Sequence, residues 1–472
     1  EQQNTEFAEI ILDSKQTSLL LTKSNKVYNT QINDLLLTAL GQALSSITQR
    51  KTNYIVLEGH GREEIDLALD VTRTAGWFTT IYPVRLEISE DIGSSIKKVK
   101  EGLRSIPNKG IGYGVICEYL DNNLPRISFN YLGQFDKEGN KDIWNITGEN
   151  SGRSVDVSNK DYNIININGL VVESKLQFNI ASKLSKNQTV QLGINFKQAL
   201  ENIIEHAQQT TRSYLTVSDV DNIISQEYLD RIQKEKEIES VYLANSLQQG
   251  FIYHSLNQGD IDDAYRVQLI WEYHNELDVT KLKQAWEYAQ SKYATLRLRF
   301  VWDEELVQII DKEGDLNWQY IDLSRVKNIE EQIKELQQQD RQKVYNLKEG
   351  KLFRVYIIKQ NDDLYTCIFS NHHAILDGWS NFVLLEYVHE TYLKLISNEK
   401  VELAKDESYQ SAQRYLQDSE EENRAYWNQY IAQIEERADL SSLLEYDKRQ
   451  IKLSQYKHIL EPESTELEIG GE

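Results

Sequence analysis

The sequence predicts an α/β protein in which a linker joins two lobes. Its 472 residues are enough for two to four folding units, at about 100–200 residues for each unit. Short β-prone apolar runs and amphipathic helical patterns occur in both halves of the chain. A charged, turn-like segment at residues 213–237 separates the two patterns. We therefore predict a first lobe at residues 1–212 and a second lobe at residues 238–472.

The first half contains strands that end in polar residues and glycines. Residues 54–57 form a short apolar strand that runs directly into Glu58 and a glycine-rich turn. Glycines beside polar groups at a strand end are typical of a backbone that closely approaches a ligand or another chain. Residues 127–136 form another strand with polar residues at its end. The glycine loop at 107–114 lacks the Gly-Lys-Ser/Thr sequence of a phosphate-binding loop, so nucleotide binding is not expected.

The segment at residues 213–237 differs from both halves. Residues 217–222 are turn-like, and Ser225 is placed to cap a short charged helix that follows it. We interpret the segment as an interdomain linker whose helix packs on one of its neighbours.

The second half places two adjacent histidines on a turn between a strand and a helix. Residues 364–369 are apolar and β-prone, which predicts a buried strand. Residues 382–396 carry apolar side chains at helical spacing, which predicts a helix. An earlier helix is predicted at residues 279–292. His372 and His373 lie between the strand and the later helix. A site at such a turn is held rigidly by the two elements around it.

The histidine turn suits proton chemistry better than metal binding. Neighbouring strand residues do not easily face one metal, and other ligands at usual spacing are lacking, so no metal site is expected. We interpret His372 as a buried, hydrogen-bonded histidine. We interpret His373 as a general base or an amine-positioning group, because neutral imidazole accepts protons near pH 7. We interpret Asp377 as a carboxylate that fixes the turn by binding an arginine, either Arg297 or Arg299.

The composition argues against several classes of function. A net charge of −22 argues against binding to nucleic acids and to anionic membrane surfaces. No apolar run reaches the ~20 residues of a transmembrane helix, and no signal peptide opens the sequence, so we expect a cytoplasmic protein. Because the sequence begins at Glu1 and contains no methionine, we expect a piece of a longer protein.

The second half resembles the N-terminal lobe of a condensation domain from nonribosomal peptide synthetases. Residues 372–378 match the HHxxxDG signature of that family. Residues 246–250 resemble its first motif, and residues 293–300 resemble its second. The signature alone also occurs in other acyltransferases, but three motifs in the family's order make this resemblance specific.

The first half resembles the C-terminal lobe of an epimerisation domain from the same synthetases. Five stretches match in the family's order, at residues 28–34, 58–63, 73–79, 107–114 and 129–135. The two resemblances together imply two chloramphenicol-acetyltransferase-like α/β sandwich lobes. In complete domains two such lobes form a V with a tunnel between them. Each half of this chain is therefore expected to supply one wall of a different tunnel.

The resemblance implies roles for the residues around the histidine turn. His373 is expected to position or deprotonate the amine of the acceptor substrate. Gly378 is expected to permit close approach of the backbone, and its N–H to stabilise the developing oxyanion. His372, Asp377 and Arg297 are the expected supports of this site. The order of the two domains implies a D-configured donor.

The resemblance also implies an epimerisation half-site in the first half. Removal and return of the Cα proton of a carrier-bound thioester need groups on two opposite faces. Glu58 is expected to supply one of them, and a histidine of the missing N-terminal lobe the other. Asn130 and Tyr131 are expected to line the same site. The alternative that Glu58 binds only the adjacent backbone or Arg62 stays open.

The expected partners follow from the same resemblance. No cofactor is expected to bind directly, because the substrates arrive on the phosphopantetheine of peptidyl carrier protein domains. Adenylation domains of the same synthetase are expected as neighbours. Each half-site lacks its opposing lobe, which predicts little activity for the isolated chain. Two alternatives stay open, namely a non-catalytic platform that docks carrier proteins and a CoA-dependent acyltransferase.

Overall fold

The structure confirms the α/β class, with sheet and helix layers in both halves of the chain. It is a computed structural model that describes residues 5–63, 65, 70–116, 124–134, 156, 159, 161–258, 264–434 and 443. The chain forms two units, Glu1–Gln413 and Arg414–Glu472. The first unit contains the predicted first lobe, the segment after it and residues 238–413 of the predicted second lobe. The predicted boundaries at residues 212 and 238 stay predictions.

A six-stranded sheet forms the first lobe. Its strands are β1 (Glu6–Ile11), β2 (Thr52–Gly59), β3 (Thr80–Glu87), β4 (Ile127–Gln134), β5 (Ile165–Val172) and β6 (Lys175–Ser182). Their order across the sheet is β1-β6-β5-β4-β2-β3. Strand β4 runs parallel to β2 and β5, and the other neighbouring strands are antiparallel. The carboxyl ends of β2 and β4 therefore lie at the same edge of the sheet.

Helices cover one face of this sheet. The described helices of the lobe are α1 (Ser14–Leu19), α2 (Asn25–Val27), α3 (Ile32–Thr48), α4 (Ile92–Arg104), α5 (Tyr113–Ile116) and α6 (Lys186–Gln209). The longest of them, α3, α4 and α6, bury Leu36, Val99 and Phe196 in one core with Phe129 and Phe178 of the sheet. Side chains on the other face of β2, such as Tyr54 and Glu58, remain exposed to solvent.

Two smaller sheets form the second lobe. Their strands are β7 (Ile238–Leu243), β8 (Arg266–Tyr273), β9 (Leu298–Val301), β10 (Val307–Asp311), β11 (Trp318–Asp322), β12 (Phe353–Lys359) and β13 (Tyr365–His372). One sheet has the order β7-β10-β9, and the other has the order β11-β12-β13-β8. The predicted strand at 364–369 is confirmed as β13, which is buried along its whole length and extends to His372.

The helices predicted at residues 279–292 and 382–396 are also confirmed. The described helices after α6 are α7 (Gln226–Ile232), α8 (Ser246–Gln258), α9 (Val279–Lys292), α10 (Ile329–Gln342), α11 (Gly378–Ile396), α12 (Ser408–Asp418) and α13 (Glu420–Ile431). Helices α9 and α11 bury Trp286 and Val388 in one core with Phe369 of β13. Helix α10 buries Ile333 in a separate core with Ile368 of the same strand. Strand β13 is thus held from both faces.

The segment at 213–237 packs against both lobes. As predicted, Ser225 caps α7, and its Oγ accepts a hydrogen bond from the N–H of Tyr228 at 3.1 Å. Tyr228 and Leu229 of α7 share a core with Val241 and Val307 of the second lobe. Lysines of α4 in the first lobe form ion pairs with aspartates of the segment. None of the described helices has the length and apolar character that a membrane span requires.

Candidate functional site

His373 lies directly after β13, on the turn into α11. Its Nδ1 lies 2.8 Å from the carbonyl oxygen of Leu376. Because a carbonyl only accepts, we assign the ring hydrogen to Nδ1, which leaves a lone pair on Nε2. The described residues offer no hydrogen-bond partner to Nε2, and the side chain is half-buried. An imidazole held in this tautomer is ready to accept a proton or an amine N–H.

His372 points into the lobe and is held at both ring nitrogens. The N–H of Ala374 donates to Nδ1 at 3.1 Å, so the ring hydrogen is on Nε2, which lies 2.9 Å from Oγ of Ser255. The residue is only 3% exposed. Burial lowers the pKa of His372 to about 4, and the positive charge of Arg266, like that of His373 when it is protonated, acts in the same direction. The prediction of a buried, hydrogen-bonded histidine is confirmed.

This burial predicts that the chain loses stability as the pH falls from about 6.5 to about 4. The pKa of His372 is 6.5 before folding and about 4 afterwards, so the unfolded chain binds the proton first. The contribution of neutral, buried His372 to the free energy of unfolding is fully present above pH 6.5. About 3 kcal/mol of this contribution is lost by pH 4. Urea unfolding across this range should show a steeper decline for the wild type than for His372→Asn, which removes the titrating ring.

The matched control for this prediction is His274→Gln, because the side chain of His274 is 74% exposed. Its unfolding free energy should follow the wild-type curve between pH 7 and pH 4. Parallel curves for the wild type and His372→Asn would show that His372 is not the group responsible.

Asp377 caps the helix that follows the histidine turn. Its Oδ1 accepts hydrogen bonds from the N–H of Ser380 at 2.8 Å and from Oγ of Ser380 at 2.6 Å. These bonds hold the pKa of Asp377 below its usual value. Gly378 is the first residue of α11, and a Cβ added there would meet no atom within 4 Å. The N-terminus of α11 therefore opens onto free space beside the turn.

The expected contact between Asp377 and an arginine is wrong. Nη1 of Arg297 lies 2.8 Å from a carboxylate oxygen of Glu239, and Nε of Arg299 lies 2.9 Å from one of Asp311. Both guanidinium groups are buried beside these carboxylates of neighbouring strands, which neutralise them. Arg297 thus stabilises the second lobe and does not contact Asp377.

A second candidate site lies at the end of β2. Glu58 is exposed there, and Nδ2 of Asn130 donates to its Oε2 at 3.0 Å. The parallel pairing of β2 and β4 brings the two residues together, as the resemblance to epimerisation domains implied. The alternative contact with Arg62 is wrong, because that guanidinium donates to the carbonyl of Val71 and lies over the ring of Phe78. The carboxylate of Glu58 therefore remains accessible on the open face of the sheet.

Tyr131 does not share this face with Glu58. Side chains alternate along a strand, so Tyr131 points to the same side as Phe129, which is fully buried in the core of the first lobe. Burial raises the pKa of Tyr131, and its hydroxyl has no hydrogen-bond partner among the described residues. The expectation that two residues of β4 line the Glu58 site holds for Asn130 and fails for Tyr131. Phe135, in the same sequence motif, lies outside the described residues.

The comparisons with known proteins identify the family. A sequence model of the condensation domain matches residues 1–223 and, a second time, residues 238–469. The chain belongs to the condensation-domain family. The break between the two matches lies inside the segment that we predict to be the linker. Each match contains one of the two candidate sites.

Curated relatives of this condensation-family chain are peptide synthases. Bacitracin synthase 3 of Bacillus licheniformis is 32% identical over 473 residues, which cover 95% of this chain and 7% of that protein. N-(5-amino-5-carboxypentanoyl)-L-cysteinyl-D-valine synthase of Amycolatopsis lactamdurans is 42% identical over 235 residues, which cover 49% of this chain and 6% of that protein. The chain thus spans less than a tenth of the length of these two relatives.

Solved structures of both domain types are similar to parts of the chain. The epimerization domain from the third module of tyrocidine synthetase B is 34% identical and has a TM-score of 0.40, with coverage of 44% of this chain and 49% of that one. The starter condensation domain of rhizomide synthetase is 18% identical and has a TM-score of 0.37, with coverage of 42% and 51%. The family match and the curated relatives place the chain among the condensation-type domains of nonribosomal peptide synthetases.

Two supports of the histidine turn in this family member were not predicted from the sequence. Ser255 lies on α8, shortly after the first condensation motif, and holds His372. The only indication in the sequence is that Ser255 is a polar residue in a partly apolar helical segment next to the first motif. Leu376 holds His373 through its backbone carbonyl, which no side chain reveals. In the described part of the chain, no cluster of three histidine, cysteine or carboxylate residues is suited to a metal.

Proposed function

We propose that this chain supplies one wall of a condensation site and one wall of an epimerisation site in a nonribosomal peptide synthetase. The observation that carries the proposal is the fixed orientation of His373. Leu376 holds Nδ1, Nε2 has no hydrogen-bond partner among the described residues, and the space beside Gly378 at the N-terminus of α11 is open. An amine that enters this space is positioned or deprotonated by Nε2 as it attacks a thioester carbonyl. The helix N-terminus beside it suits the negative charge that develops on the carbonyl oxygen.

Glu58 serves the second reaction in this proposal. Asn130 fixes one carboxylate oxygen, and the exposed position of Glu58 lets the carboxylate reach a substrate on the open face of the sheet. A carboxylate there exchanges the Cα proton of an aminoacyl or peptidyl thioester on one face. The opposing group belongs to a lobe outside this chain, so the isolated chain should turn over slowly.

The partners in this proposal are carrier and adenylation domains of one cytoplasmic synthetase. Peptidyl carrier domains deliver both substrates on phosphopantetheine, and the chain itself binds no cofactor directly. A condensation wall that follows an epimerisation wall receives a D-configured donor. This last inference rests on the order of the two lobes and not on any residue.

The test uses the synthetase that contains this chain, with its carrier domains loaded in D₂O. Mass spectrometry of the carrier-bound products should show deuterium at the donor Cα and a peptide bond to the acceptor. Chiral analysis of the hydrolysed product should show a D-configured donor residue. Acyl transfer from acetyl-CoA without a carrier would contradict the proposal and favour a CoA-dependent acyltransferase. Carrier binding without either product would favour a docking platform.

A further inference from the structure

We propose that an aromatic clamp, formed by Phe251, His254 and Tyr265, positions His373 for its reaction. The clamp consists of two residues of α8 and the residue that precedes β8. This inference rests on the proposed function of His373 as the group that receives the acceptor amine. It assigns positioning residues that act through His373 and do not themselves contact the reacting atoms.

Phe251 covers one face of the His373 ring. The two ring centroids lie 5.2 Å apart, and the ring planes differ by only 26°. A stacked ring opposes rotation of the imidazole about its Cβ–Cγ bond, because that rotation would drive imidazole atoms into the face of the phenyl ring. The hydrogen bond from Nδ1 to Leu376 restrains the same rotation from the ring edge. Both contacts favour the orientation that presents Nε2.

Tyr265 supports the clamp through its backbone and its ring. Its carbonyl accepts the N–H of His373 at 2.8 Å, and its φ of 65° is one that residues other than glycine rarely adopt. Unusual backbone angles of this kind persist where surrounding contacts impose them, and they cluster at functional sites. The tyrosine ring lies 4.6 Å from that of Phe251 and 5.0 Å from that of His254, centroid to centroid. The clamp therefore fixes both the backbone and the ring of His373.

Helix α8 contacts both histidines of the turn. Phe251 and Ser255 are four residues apart and so lie on one face of the helix. Ser255 bonds to His372, and Phe251 stacks on His373. A displacement of α8 would therefore change the orientation of both imidazole rings. Helix α8, which carries the first condensation motif, thereby sets the geometry of the HHxxxDG signature at residues 372–378.

The experiment measures the tautomer of His373 in this chain by NMR, as a report on the orientation of its ring. Correlation spectra of ¹⁵N-histidine-labelled protein distinguish Nδ1–H from Nε2–H, and a His373→Gln variant assigns the signal among the eight histidines. The wild type should show the Nδ1–H tautomer. Phe251→Ala should show both tautomers, with the shifts of the two ring nitrogens moving towards each other. Phe251→Tyr should restore the wild-type pattern, because it retains the stacked ring.

The matched control is Tyr253→Ala, which truncates an aromatic residue of the same helix that is 71% exposed. It should leave the tautomer of His373 unchanged. In the whole synthetase, Phe251→Ala should lower kcat for peptide-bond formation by about tenfold to a hundredfold, with little change in KM for the acceptor carrier.

The two readouts separate the clamp from the proposed function. Wild-type tautomer and wild-type kcat in Phe251→Ala would overturn the clamp. A changed tautomer in that variant, in a synthetase whose wild type forms no peptide bond, would support the clamp and overturn the proposed function.

Discussion

His373→Ala should slow peptide-bond formation by about 10²–10⁴-fold, the range expected when a general base is removed, and should leave Cα epimerisation intact. Glu58→Gln should slow Cα epimerisation and leave peptide-bond formation intact. The two candidate sites are separate, because His373 follows β13 of the second lobe and Glu58 lies near the end of β2 in the first lobe. The two substitutions should therefore block two different reactions in one protein. Single-turnover assays with loaded carriers measure both, one by peptide product and the other by deuterium at Cα.

Matched controls exist for both substitutions. His274 is an exposed histidine outside the turn, and Glu90 is a carboxylate that is 92% exposed. His274→Ala and Glu90→Gln should leave both reactions within about twofold of the wild type, because surface substitutions of this kind rarely alter a structure. Loss of both activities in His373→Ala alone would mean that the two sites are not independent. Unchanged peptide-bond formation in that variant would remove His373 from the reaction.

The sequence alone predicts the wrong partner for Asp377. The expectation of a buried arginine followed from charge complementarity alone. Ser380 lies only three residues away, and its N–H and hydroxyl both reach the carboxylate at the start of α11. A local cap of this kind forms without ordering a distant segment, so it competes well with a long-range ion pair. The partner of Arg297, Glu239, depends on how β7, β9 and β10 are ordered in their sheet, which the sequence does not reveal.

Strand β4 is the opposite case, because its sequence is sufficient to orient Tyr131. Alternation along a strand places Phe129 and Tyr131 on one face and Asn130 on the other. Phe129 is an obvious core residue, so the sequence already indicated that Tyr131 faces the core. The resemblance to epimerisation domains implied that Glu58 and Asn130 line one site, and the two side chains are in contact. The aromatic contacts to His373 cannot be predicted from the sequence, because they depend on how α8 packs against the turn.

Lys100→Met should destabilise the first unit by about 3–5 kcal/mol, the usual cost of leaving one charge of a buried ion pair without its partner. The side chain of Lys100 is 1% exposed, and its Nζ lies 2.6 Å from a carboxylate oxygen of Asp219. The same Nζ donates to the carbonyl of Tyr28 at 3.0 Å. Urea unfolding followed by far-UV circular dichroism measures the loss. Lys98→Met is the control, because Lys98 is on the same helix but 47% exposed, and it should cost less than about 1 kcal/mol.

The position of this ion pair makes the prediction informative about how the two lobes are coupled. Lys100 belongs to α4 of the first lobe, and Asp219 belongs to the segment between the lobes, which shares a core with β7 and β10 of the second. If this contact couples the lobes, Lys100→Met should also expose residues 213–237 to proteolysis before either sheet unfolds. Because the second lobe keeps its own core, its unfolding midpoint should move less than that of the first lobe. A single shifted transition with no early cleavage would mean that the other contacts of the segment hold the lobes together without Lys100.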